Sequence, residues 1–144
     1  MKNAGARINI LKVSNELKSS LEAAGNRQHY PTAQVLFQED GDCQGVYLVS
    51  VGKVRMSVRN LPDLSRDFAA GSLLGLPSTF TGHPYSLTAV TLTESDVVHV
   101  PRDEFLGLMR ALPELCKEAT EILGREVTFI QTALAERRRQ FAAV

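Results

Sequence analysis

The chain has no tryptophan and only two cysteines, Cys43 and Cys116. They lie far apart and form no CxxC pair, which excludes a four-thiolate iron–sulfur or zinc centre within one chain. In a cytoplasmic protein such thiols are expected to be free. Net charge is also missing, because sixteen Lys and Arg balance sixteen Asp and Glu. A whole-domain electrostatic grip on nucleic acid shows as a clustered basic excess, so none is expected. The apolar runs are too short to cross a bilayer. Met1–Arg7 lacks the apolar core of a signal peptide. These absences predict a cytoplasmic address and no membrane partner. There is no P-loop, no Gly-x-Ser-x-Gly elbow and no His-x-x-x-His pair. The three histidines, His29, His83 and His99, are scattered, so no metal site is expected. No motif asks for a cofactor, and nothing marks an enzyme.

What is present divides the 144 residues into three parts. Leu17, Leu21 and Ala24 stand at spacings of four and three, the stripe of a short amphipathic helix over residues 11–24. Gly25-Asn26 supplies its stop. From Tyr30 to Val100 short strands alternate with turns. Val54, Met56 and Val58 alternate with Arg55 and Ser57, the period of a half-buried strand. Asn60-Leu61-Pro62-Asp63 reads as a hairpin tip. Ser86–Thr93 and Asp96–Val100 read as further strands, and the set argues for a barrel or sandwich.

Helical spacing returns after Pro101, with a short helix to Met109 and a long one from Pro113 toward Phe141. Cys116, Thr120, Leu123, Val127, Ile130, Leu134, Arg137 and Phe141 follow at alternating steps of four and three, a heptad seam. Ile122, Phe129 and Ala133 form a second apolar flank. Two flanks predict that one packs on the β-region and the other on a second copy. The alternative is a single broad core-facing stripe. Arg137-Arg138-Arg139 is the only basic run, and it suits the C-terminal end of a helix dipole.

Several stretches together carry a family resemblance. They are Val35–Asp42 with its Gly-Asp turn, Gly45–Val54, Gly71-Ser72-Leu73-Leu74-Gly75, Val97–Phe105 and Pro113-Glu114-Leu115. In this order the chain resembles the effector domain of the cyclic AMP receptor and FNR superfamily. The resemblance implies a mainly β fold with flanking helices. Its centre would be a double-stranded β-helix, the jelly-roll β-roll of cyclic-nucleotide-binding type, over residues 1–112. Residues 113–144 would be a long C-terminal dimerisation helix, with Leu123, Val127, Ile130 and Leu134 at the interface of a homodimer. Relatives pass the signal to a winged helix-turn-helix. Little chain follows Pro113, so DNA is expected to be met only through a separate or missing domain.

The resemblance also locates a ligand cassette at Gly75–Thr88. In cyclic-nucleotide binders a glutamate there holds the ribose and an arginine neutralises the ring phosphate. Here those positions carry Leu76 and Tyr85, while the following serine is kept as Ser86. No Lys or Arg occurs from Asp67 through Pro101, and no Glu from Asp40 through Thr93. Pro77 removes one N–H from the would-be anion nest around Ser78–Phe80. The helix hydroxyl pair falls at Ile130 and Gln131. The expected ligand residues are thus Gly75, Leu76, Ser78, Tyr85, Ser86, Leu87, Ile130 and Gln131, around an apolar to mildly polar pocket for an unknown small-molecule effector. Two functions stay open. One is a regulatory sensor that is not an ordinary cyclic AMP binder. The other is a standalone cyclic-nucleotide-binding-like interaction module with a vestigial pocket, or else a domain that binds cyclic nucleotides in a non-standard way.

Overall fold

The computed structural model describes residues 9–59 and 61–142. Helix α1 (Asn15–Ala24) starts where Ser14 caps it, the hydroxyl accepting the Leu17 N–H at 3.1 Å. Its four-three stripe buries Leu17 and Leu21 completely. Gly25 ends it, and a side chain there would press within 2.7 Å of the His99 carbonyl. Strand β1 (Asn26–Tyr30) follows at once, earlier than the Tyr30 start expected from sequence. It lies at a sheet edge with its side chains mostly exposed, so it has no apolar alternation to announce it.

The roll continues through β2 (Val35–Phe37), β3 (Val46–Val51), β4 (Lys53–Val58), β5 (Leu61–Ala69) and β6 (Leu73–Leu74). Helix α2 (Leu76–Thr81) then precedes β7 (Thr88–Thr91) and β8 (Ser95–Val100). Two four-stranded antiparallel sheets result, in the orders β1-β8-β3-β6 and β2-β7-β4-β5. The expected alternation in β4 holds: Val54, Met56 and Val58 are buried while Lys53 and Arg55 are exposed. The hairpin tip is shorter than expected. Val58 already pairs with Leu61, so Leu61, Pro62 and Asp63 belong to β5, and Asn60 lies outside the described residues. Pro62 is tolerated in that strand because β5 is the edge of its sheet.

Helices α3 (Arg102–Ala111) and α4 (Pro113–Ala142) close the roll. Phe105 and Met109 of α3 are buried. Ala119 and Ile122 of α4 enter the same core, flanked by half-buried Leu115 and Phe129. Glu118 ties α4 to the start of α1, taking the Ser14 N–H and hydroxyl on its two oxygens, each at 2.6 Å. The expected seam forms another face of α4. Leu123, Val127 and Ile130 are half-buried, and Thr120 and Leu134 are exposed. The side chains of Ala133, Arg137 and Phe141 lie outside the described residues. Arg138 and Arg139 are exposed near the helix end, Arg139 pairing with Glu136.

Candidate ligand pocket

Two glycines shape the cassette. Gly45 sits at φ +115°, where a side chain would lie 2.1 Å from the Val100 carbonyl. Gly75 sits at φ +91° as the N-cap of α2, with the Tyr85 ring and the Gly45 carbonyl packed against its missing Cβ. Both positions need a left-handed backbone and close approach, which only glycine supplies without strain. Thr79 returns its hydroxyl to the Gly75 carbonyl at 2.8 Å, and Ser78 spends its own on the His83 carbonyl. Arg102 is the first cation after the cation-free stretch. Its Nε donates to the Thr79 carbonyl at 2.9 Å, serving the carbonyl end of α2 rather than the pocket.

Tyr85 is 3% exposed. Its hydroxyl donates to the Gly45 carbonyl at 2.8 Å and accepts the Gln44 N–H at 2.9 Å. Its ring stacks on Phe37 with centroids 4.1 Å apart. Burial holds the phenol far above its ordinary range, so it stays neutral. Tyr85 is therefore a strut between the cassette and the loop before β3.

Between α2, Tyr85 and α4 lies a cavity of about 10 Å³, room for a single water at most. Six of the expected ligand residues meet there: Gly75, Ser78, Tyr85, Ser86, Leu87 and Ile130. Leu76 is completely buried but does not line the cavity, and Gln131 is exposed to solvent away from it. Sequence reasoning missed Phe37, Pro77 and Glu126 of the wall. Glu126 matters most. It is 2% exposed, and its Oε1 has no hydrogen-bond partner among the described residues. Burial pushes its carboxyl up to about 8, and the nearby N–H groups of Gly75 and Leu76 only partly oppose this. No charged side chain contributes to the shift. The spacing held the clue, since position 126 falls four after Ile122 and three before Phe129, on the inward stripe.

A wider groove of about 320 Å³ lies along another flank of α4, apart from the cassette. There Arg66 sits 5.7 Å over the Phe129 ring and Arg125 donates to the Ile10 carbonyl at 3.2 Å. No cluster of three ligating side chains occurs among the described residues. His83 is exposed in its loop. His29 lies within β1 and bonds Asp96 and Glu94, so it does have partners, brought by β8 and its preceding turn. Cys43 and Cys116 are free thiols.

Comparison with known proteins places this architecture. The cyclic nucleotide-binding domain family matches residues 27–111, more than half of the chain. The chain belongs to this family. Over 104 residues the domain is 29% identical to the cyclic AMP receptor protein of Thermus thermophilus, covering 70% of this chain and 48% of that protein. It thus spans about half the length of that curated relative. The crystal structure of the Thermus thermophilus catabolite activator protein superposes with a TM-score of 0.71 at 24% identity, covering 88% of this chain and 61% of that one. The c-di-GMP responsive global regulator CLP of Xanthomonas campestris gives 0.71 at 16% identity, covering 90% and 65%. These likenesses show the jelly-roll fold with its long C-terminal helix. No described helix is long and apolar enough to cross a membrane.

Proposed function

We propose that this cyclic nucleotide-binding-like domain is a cytoplasmic sensor whose pocket is closed to ordinary cyclic nucleotides. Residues 1–112 form the sensing roll and 113–144 the dimerisation helix. Leu123, Val127, Ile130 and Leu134 make a homodimer seam, and Ile130, shared with the pocket, couples the two. The effector is a small molecule other than cyclic AMP or cyclic GMP, and DNA is met only through a separate domain. One observation carries this reading: no cation lines the cassette cavity among the described residues, and the ionisable group facing it from α4 is a carboxyl. A ring phosphate there would lose its charge-assisted contacts, each worth about 1.5–3 kcal/mol.

The near-absence of free volume favours a second reading, an interaction module whose pocket is filled by its own side chains. Isothermal titration of the native protein with cyclic AMP and cyclic GMP tests the first. Dissociation constants no tighter than about millimolar are expected, near −4 kcal/mol. A micromolar constant for either nucleotide refutes the closed pocket.

A further inference from the structure

A buried polar group without a partner is rare in a native fold and calls for a cause. Glu126 occupies an inward position of α4 between Ile122 and Phe129, where a leucine or methionine would fill the space with equal helix propensity. Around it the cavity offers little to an anion. The Ser78 hydroxyl is committed to the His83 carbonyl and the Tyr85 hydroxyl to the Gly45 carbonyl. The amides of Gly75 and Leu76, the donors an incoming anion would use, already face this carboxyl. Helix α2 contributes no charged or titratable side chain, β2 none, and the loop before β7 holds Tyr85 and the exposed His83. The neighbouring charges on α4, Glu121 and Arg125, are exposed. For a cation the same cavity offers an unpartnered carboxyl oxygen beside the stacked rings of Phe37 and Tyr85.

We infer that Glu126 sets the ligand class of the pocket, occupying the amides an anion would use and receiving the positively charged, N–H-bearing head of a small amine or guanidine. This rests on the reading of the domain as a sensor closed to ordinary cyclic nucleotides. With only about 10 Å³ free, the head enters when Ile130 and its helix give way, and Ile130 also belongs to the seam. Entry therefore moves α4, which is how occupancy becomes a signal. With its carboxyl pushed up to about 8, Glu126 is mostly protonated at pH 7. A bound cation displaces that proton, so binding releases close to one proton per site and strengthens as pH rises toward 8.

Calorimetric titration with agmatine, a guanidinium and an ammonium on one short chain, tests this beside cyclic AMP. Native protein and Glu126→Gln are compared at pH 7 in two buffers of different ionisation heat. Agmatine is expected to bind the native domain with near one proton released. It should bind Glu126→Gln at least tenfold more weakly, although that variant melts no lower than native. Micromolar binding of cyclic AMP to native protein defeats the underlying reading and this inference with it. If cyclic AMP is silent, three results overturn the ligand class alone and leave the closed pocket standing: no agmatine binding, equal binding to both proteins, or binding without proton release.

Discussion

Helix α4 presents two faces with the same four-three spacing and different fates. One runs through Leu115, Ala119, Ile122, Glu126 and Phe129 and packs on the roll, with Ala119 and Ile122 at 0% and 1% exposure and Leu115 and Phe129 half-buried at its ends. The other runs through Cys116, Thr120, Leu123, Val127, Ile130 and Leu134 and stays half open, with Leu134 39% exposed. Spacing reports that a face is apolar; it does not report what covers it. The roll covers the first face. The cover of the second is not among the described residues, and a second copy of the helix, meeting it at heptad spacing, fits it. The sealed face is also the one that tolerates a carboxyl, which makes Glu126 the exception to explain.

Substitutions sharpen that contrast. Ile122→Ala removes a completely buried side chain from the sealed face and should cost about 2–5 kcal/mol in chemical unfolding. A loss below 1 kcal/mol would mean that α4 is only loosely docked. Val127→Glu on the open face should cost far less than Ile122→Ala, with any loss depending on protein concentration. Its effect belongs to association. Light scattering should give about twice 15.8 kDa for the native chain at micromolar concentration and the single mass for the variant. A native monomer, unchanged by the substitution, would break the assignment of the open face to a partner.

Much of the fold was legible in the residues. The alternation of Val54, Met56 and Val58 marked β4, and Pro113 marked the break before α4. Glycines at turns marked the roll, because Gly45 and Gly75 occupy backbone that other residues resist. What stayed hidden had physical reasons. Strand β1 is mostly exposed on its edge, so its order comes from pairing with β8 and not from an apolar pattern. The β4–β5 tip was read too long because Pro62 signals a turn wherever it stands, including an edge strand. Tyr85 reads as pocket lining in the sequence and stands in the wall of the small cavity. Its two hydrogen bonds and its stacking on Phe37 make it a structural strut as well, and neither partner adjoins it in sequence. Glu126 was passed over because a charged residue on a helix ordinarily faces water. Only the stripe on either side of it said otherwise.

The Glu126 carboxyl is buried against the pocket with its Oε1 unpartnered, and its titration tests that most directly. Folding raises its pKa from 4.5 to about 8, so the folded chain keeps a proton that the unfolded chain releases. Its contribution to stability is therefore greatest below the unfolded value and is lost as pH rises toward the folded one. The slope approaches about 1.4 kcal/mol per pH unit across that window and vanishes above it. Glu126→Gln mimics the protonated state and lacks this loss. His29, whose pKa is raised by Asp96 and then Glu94, titrates in both proteins and cancels from their difference. Urea unfolding of native and variant protein between pH 5 and pH 9 should therefore show the two curves diverging up to about pH 8, with the native chain falling below the variant. Parallel curves across that range would contradict the buried carboxyl.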